Sequence, residues 1–193
     1  MFEHLKLSSK IGLGFGAVIF LMIILVVMGI VQMNFAKSRL QTMNDINAKK
    51  QRYAINFRGS VHDRAISVRD VVLLDDEARL QAALDNIKRL EDFYNAASAN
   101  MNEMLKDSAL FNNEERAILG RLNQIANKTN AGYKKIIQLK QSWQVDEAKK
   151  LLLNEVASDF SLWLKIINEF IDYQEEANNN LTKQVMLVVN NFV

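Results

Sequence analysis

Ile11–Ala36 reads IGLGFGAVIFLMIILVVMGIVQMNFA, 26 residues without a charged side chain. Roughly 20 apolar residues suffice for a helix to cross the hydrocarbon of a bilayer. In apolar surroundings every backbone N–H and C=O must be paired within the segment, and a helix does this. The stretch is therefore read as an uncleaved transmembrane helix. A signal peptide has a shorter apolar core, about 7–15 residues, and ends at a small-x-small site. Met33-Asn34-Phe35-Ala36 offers no such site.

Lys6 and Lys10 precede the apolar run, and Lys37 and Arg39 follow it. The basic leader, residues 1–10, predicts a cytoplasmic N-terminus, with Lys37 onward outside the inner membrane. The charges at Lys37 and Arg39 oppose that bias. Gly12 and Gly16 form a GxxxG pair, which lets two membrane helices approach closely.

The remaining chain, about 150 residues, is long enough for one domain with its own core. Over all 193 residues, 24 basic and 22 acidic side chains leave a net charge of +2, with the basic residues scattered. That balance gives no electrostatic footprint for nucleic acid. Cysteine is absent, which excludes disulfides, thiol nucleophiles and thiolate metal sites. Proline is absent too, and glycine is scarce, so long uninterrupted helices are expected.

Lys37 to about Asp75 reads as a continuation of the membrane helix, with Ile55, Val61, Ala65, Val68 and Val72 on one face. Together the two would make a rod of roughly 60 residues, ~90 Å long. Asp76 is the expected N-cap of a second helix, Glu77 to Lys106, carrying Leu80, Leu84, Ile87, Tyr94, Met101 and Leu105. Residues 107–113 form the next turn, where Asn112 and Glu115 have the spacing of a capping box.

The third helix has the clearest periodicity. Ile118, Leu122, Ile125, Thr129, Gly132, Ile136, Leu139 and Trp143 alternate steps of four and three, the seam of a narrow bundle. Thr129 and Gly132 in its middle imply either close packing or a local cavity. Gln144-Val145-Asp146 is a connection, with Asp146 expected to cap a short helical piece from Glu147 to Asn154. The last helix presents Phe160, Trp163, Leu164, Ile167, Phe170, Ile171 and Leu181 inward, and Trp143, Trp163 and Phe160 could line an apolar pocket.

The expected fold class is all-α: an N-terminal transmembrane helix continuous with an up-down-up-down antiparallel four-helix bundle over residues 37–183. From Gln184 the chain turns apolar again, and residues 184–193 read as the start of a second membrane helix. In this topology the first and last bundle helices meet the membrane at the same end.

Two stretches, His62–Leu74 (HDRAISVRDVVLL) and Trp163–Glu175 (WLKIINEFIDYQE), lie in that pattern of basic leader, membrane helix and four-helix spacing. On them the chain resembles the N-terminal part of a bacterial chemoreceptor, a methyl-accepting chemotaxis protein with a four-helix-bundle sensor domain. The resemblance covers essentially the whole chain. It implies a homodimer in the bacterial inner membrane whose periplasmic bundles bind a small solute between subunits. It further implies that displacement of the last helix is passed to a histidine kinase through a coupling protein, by parts outside this chain.

Dicarboxylate-sensing members of that family carry arginines spaced R-x4-R-x3-R on the first bundle helix. Arg64 and Arg69 match the first two positions, and Leu73 stands at the third. Five residues advance a helix by about 500°, so the two arginines point roughly 140° apart. One could serve its own subunit's pocket and the other a dimer seam. Arginine suits a carboxylate because its planar fork forms two parallel hydrogen bonds. The resemblance also puts Ser158, Asp159 and Ser161, at the start of the last helix, beside the polar end of the ligand. Neighbouring Asp63 and Asp70 could instead simply neutralise the arginines on a solvated face.

Catalysis is not expected, nor is any cofactor. The only histidines are His4 and His62, and the single external one is too little for bis-histidine haem; paired Glu-x-x-His motifs for a di-iron site are missing. Glu175-Glu176 reads as a solvated pair. The alternatives are the sensor module of a histidine kinase or cyclic-dinucleotide enzyme, and a structural membrane-tethered bundle.

Overall fold

The computed structural model describes residues 6–190, apart from the side chain of Leu7. The first half of the leader, with His4, and the last three residues of the second apolar segment lie outside the described residues. The chain divides into two units. One comprises residues up to Met43 with those from Asn179 onward, and the other is Asn44–Asn178.

The elements in order are α1 (Leu7–Gln41), a π-helical segment Thr42–Asn47, α2 (Ala48–Leu73) and α3 (Glu77–Leu105). There follow a 3₁₀ turn Ser108–Leu110, α4 (Asn113–Gln141), α5 (Val145–Leu151), a second π-helical segment Leu152–Val156, and α6 (Ala157–Asn190). Helical backbone runs unbroken for 66 residues from Ser8 to Leu73, as the lack of turn residues predicts. A window of 18 residues in it has a mean hydropathy of 2.9 and no buried residue. It is long and apolar enough to cross a membrane, with Leu13, Phe20, Leu25 and Val31 all exposed. Space is open around Gly12 and Gly16.

In the unit Asn44–Asn178, α2, α3, α4 and the run from α5 into α6 form an antiparallel four-helix bundle. Paired side chains fix its register. Ser60 Oγ donates to the Leu90 carbonyl at 2.6 Å, and Asn86 Nδ2 donates to Ser67 Oγ at 2.9 Å, so α2 and α3 run in opposite directions. Lys134 pairs with Glu91 at 3.0 Å across α4 and α3, and Lys128 with Asp159 at 2.7 Å across α4 and α6. At the end where the chain enters the bundle, Asn47 Nδ2 donates to Asn178 Oδ1 at 2.9 Å. The two tight connections Leu73–Glu77 and Gln141–Val145 lie at the opposite, far end.

Local chemistry sets the helix ends. The Asp76 carboxylate accepts from the Arg79 N–H at 2.8 Å, the expected N-cap. The Asn112–Glu115 capping box is complete: each side chain accepts from the other's backbone N–H, at 2.9 and 2.8 Å. At the end of α4, Trp143 adopts a left-handed backbone with φ of 62°. The Trp143 N–H donates to the Lys140 carbonyl at 3.1 Å and the Gln144 N–H to the Leu139 carbonyl at 2.9 Å. This is the double bond pattern of a Schellman cap, with tryptophan where glycine is usual.

Several sequence expectations change here. Trp143 does not continue the α4 seam; it is 90% exposed, because the helix ends at Gln141 and the chain reverses. Trp143, Trp163 and Phe160 therefore line no common pocket. Phe160 and Trp163 stack on each other in the core, with ring centroids 6.2 Å apart. Asp146 is not a cap: Gln144 holds that position without a side-chain bond, and no break follows at Asn154 because the π-helical segment carries the helix into α6. Ile55 is exposed, and the buried face of α2 runs through Ala54, Phe57, Val61, Arg64, Val68 and Val71. Ala65 and Leu181 are only half-buried. Between close packing and a cavity at Gly132, the structure has close packing: a Cβ there would meet Val156 Cγ2 at 2.7 Å.

Candidate functional site

The α2 seam through Phe57, Val61, Arg64, Val68 and Val71 advances by four and three residues, and Arg64 occupies a core position in it. Its side chain is fully buried. Three aromatic rings surround the guanidinium: its Cζ is 5.0 Å from the Trp163 ring, 5.4 Å from Tyr94 and 5.5 Å from Tyr133. Each face of a ring carries negative charge density, which attracts a cation most strongly where water is excluded. Nη1 donates weakly to the Tyr133 hydroxyl at 3.3 Å and to Asn130 Oδ1 at 3.4 Å. Nε and Nη2 are buried without an acceptor. Among the described residues no carboxylate pairs with Arg64.

That environment is expensive for a charge. A buried cation without a counter-anion loses several kcal/mol of hydration, while a desolvated ring returns ~2 kcal/mol. The unsatisfied edge, Nε with Nη2, is the one that meets a carboxylate through two parallel bonds. The surrounding phenols respond to the same burial. Tyr94 is pushed up to about 12 by loss of hydration, against the opposing pull of the Trp163 indole N–H and the Arg64 charge. Tyr133 is raised as well, by burial, with Arg64 again opposing.

Arg69 is exposed on the other side of α2, which matches the angular separation that five residues impose. Asp63 pairs with His62 at 3.1 Å instead of with Arg64. Ser158 is exposed, and its hydroxyl donates to the Glu155 carbonyl at 2.7 Å. Asp159 is buried and accepts from Lys128 at 2.7 Å. Lys128 is held above its ordinary value by that hydrogen bond first and by the Asp159 charge second. Ser161 is exposed and donates to the Ala157 carbonyl. The five residues singled out from sequence thus have separate environments: one in the core, three at the surface, one in an ion pair.

Tyr133 and Asn130 escaped the sequence reading, and Tyr94 entered it only as part of an apolar stripe. The α2 spacing of four and three through residue 64 was the available signal, since a charged residue in a seam position needs compensating partners from the facing helices.

A helical receiver of this kind, with one apolar anchor and a polar residue caged in its core, defines a class rather than a chemistry. The chain belongs to the family of four-helix-bundle sensory modules for signal transduction found in methyl-accepting chemotaxis proteins, whose pattern matches residues 4–185. No curated protein and no solved structure matches it. The family is a sensory signalling module and not a catalytic one.

Proposed function

We propose that this chain is the ligand-binding region of a transmembrane chemotaxis receptor that senses a small carboxylate. In this reading residues 1–10 are a cytoplasmic leader, 11–36 span the bacterial inner membrane, and 37–183 form a periplasmic sensor. Residues 184–193 begin a second span. The sensor works as a homodimer, and downstream parts engage a coupling protein and histidine kinase. The chain itself catalyses nothing.

The observation that carries the carboxylate is the orphaned Nε–Nη2 edge of buried Arg64. A bound carboxylate supplies the missing acceptors and the missing charge. To reach that edge, the aromatic layer of Tyr94, Tyr133 and Trp163 must part, so occupancy favours a different arrangement of α3, α4 and α6 around α2. A packed interface has discrete arrangements rather than a continuum, so a shift of ~1–2 Å is enough to signal. Exposed Arg69 extends the positive field toward a second subunit, and Ser158 and Asp159 serve the ligand's other polar groups once Lys128 is displaced.

Calorimetry of the full chain in lipid nanodiscs against mono- and dicarboxylates tests this. Binding should be lost in Arg64→Met and weakened in Arg69→Ala. Equal affinity for wild type and the double variant would remove the site assignment. Orientation is tested separately: because the chain lacks cysteine, single cysteines placed at Lys6 and Lys183 report sidedness by impermeant labelling in spheroplasts.

A further inference from the structure

Ala148, Leu152, Val156 and Phe160 are all buried, although each stands four residues from the last. Four residues of α-helix overshoot a full turn by about 40°, so three such steps would carry Phe160 about 120° off the face that Ala148 occupies. The π-helical segment Leu152–Val156 removes that drift. Its wide turn, closed by a bond from the Ala157 N–H to the Leu152 carbonyl, takes up one extra residue. Beyond it the inner face of α6 resumes steps of three and four through Trp163, Ile167, Phe170 and Gln174.

A regular helix would need one residue fewer. Leu153, Asn154 and Glu155 are exposed, and without Asn154 the spacing is four and three throughout, from Ala148 to Gln174. The extra residue thus adds nothing to the core, and π turns are frequent at functional sites. Gly132 of α4 stands against Val156, so no Cβ crowds the wide turn.

This turn adjoins the layer of Arg64. Phe160 stacks on Tyr133 and on Trp163, with centroids 6.2 Å apart in each case, and both of those rings face the Arg64 guanidinium. Asp159, next to Phe160, is buried, yet its carboxylate pairs with Lys128, whose side chain is 65% exposed. A pair with so solvated a partner is a weak tether. The layer therefore holds a cation that lacks a carboxylate, and one residue from its aromatic wall stands a carboxylate that is loosely held.

We propose that the π turn is a movable joint through which Asp159 becomes the internal counter-ion of Arg64. When the wide turn migrates one turn toward the C-terminus, both ends of the helix keep their places and only the residues between shift by one. Glu155 then takes the place of Val156, beside Gly132, and Asp159 takes that of Phe160, while Trp163 and the rest of α6 stay. The exchange brings a carboxylate into the layer whose cation has an unpaired edge, which offsets the cost of moving a phenyl ring out. On the carboxylate reading of Arg64 this register is autoinhibitory, since ligand and Asp159 compete for one edge. That consequence rests on that reading; the joint itself does not.

The test is residue-resolved hydrogen exchange on the full chain in nanodiscs, in a carboxylate-free buffer. A fixed π turn would loosen only the amides of residues 152–157, whereas a migrating one also opens those of 158–161. The latter are expected to exchange at least about tenfold faster than the amides of 163–174. Deleting Asn154 should give a folded bundle with a higher melting temperature, in which that difference shrinks to about twofold or less. Asp159→Asn and Arg64→Met should each slow 158–161 and leave 152–157 unchanged, because the pairing that favours migration is gone. Exchange at 158–161 no faster than at 163–174, fast exchange that persists without Asn154 or in both substitutions, or a deletion variant that does not fold would each overturn the proposal. No ligand enters these measurements, so their failure is distinct from failure of carboxylate binding by calorimetry.

Discussion

Lys50 Nζ lies 2.7 Å from Glu115 Oε1, with the two side chains 2% and 5% exposed. The pair joins α2 to α4 at the entry end of the bundle, and other elements converge on it. Gln174 Nε2 of α6 donates to the same Glu115 oxygen at 2.6 Å, and Lys50 also donates to the Leu110 carbonyl. The ammonium sits 4.2 Å from the centre of the Phe111 ring. A buried ion pair is seldom a net source of stability, but breaking one leaves a charge stranded.

Lys50→Met should therefore destabilise the bundle by about 3–5 kcal/mol, because Glu115 keeps its burial and loses its counter-ion. Adding Glu115→Gln should recover a large part of that loss, as the second charge is removed too. Urea titrations of the single and double variants give the coupling between them.

Lys50 also makes a pH-dependent contribution. Burial holds its ammonium below the ordinary 10.5, against the hydrogen bond and charge of Glu115, which raise it. The unfolded chain binds the proton more tightly, so the penalty is complete below the lowered value and is relieved as pH rises toward 10.5. Tyr94 acts in the opposite sense. Its contribution is complete below the unfolded value of 10.0 and is lost as pH rises from there through about 12. Absorbance of tyrosinate should show Tyr94 still protonated after exposed phenols have ionised, and a Tyr94→Phe variant should lack that late step.

Gly132→Ala should destabilise the protein although alanine favours helix. The new methyl would stand 2.7 Å from Val156 Cγ2, on a β-branched side chain that is itself 1% exposed and has little room to turn. Overpacking costs about 1–3 kcal/mol, against a propensity gain of about 1 kcal/mol. Val156→Ala in the same chain should restore most of the loss, measured by thermal denaturation.

Arg64→Met should leave stability equal or higher, by up to about 4 kcal/mol, because a flexible apolar side chain fills the aromatic cage without an unpaired charge. Arg64→Ala should instead lower it by about 2–5 kcal/mol through the cavity it leaves. Comparing the two melting temperatures separates the charge of Arg64 from its volume.

The architecture was readable because it depends on local, periodic features. The uncharged run Ile11–Ala36, the Asp76 cap, the Asn112–Glu115 box and the four-three spacing of α4 each act within a few residues, where sequence alone sets the geometry. The errors arose where one residue of phase mattered. A stripe drawn through Ala65 leaves Arg64 just outside the core, and one drawn through residue 64 places it inside. Trp143 failed in the same way, since four-three spacing says nothing of where a Schellman cap ends the run.

The candidate sites were less legible, since a charge is compensated or stranded only by side chains from other helices. Sequence by itself determined the long apolar run, the main helices with the caps at Asp76 and Asn112, and membership of a sensory family. Tertiary structure alone decided that Arg64 is caged by Tyr94, Tyr133 and Trp163 while Asp159 is taken by Lys128. It also decided that Trp143 ends exposed at a helix terminus instead of inside the core. Helix formation follows from contacts three and four residues apart, whereas the energy of a buried charge is set by neighbours some 30 to 100 residues away along the chain, which only packing brings together.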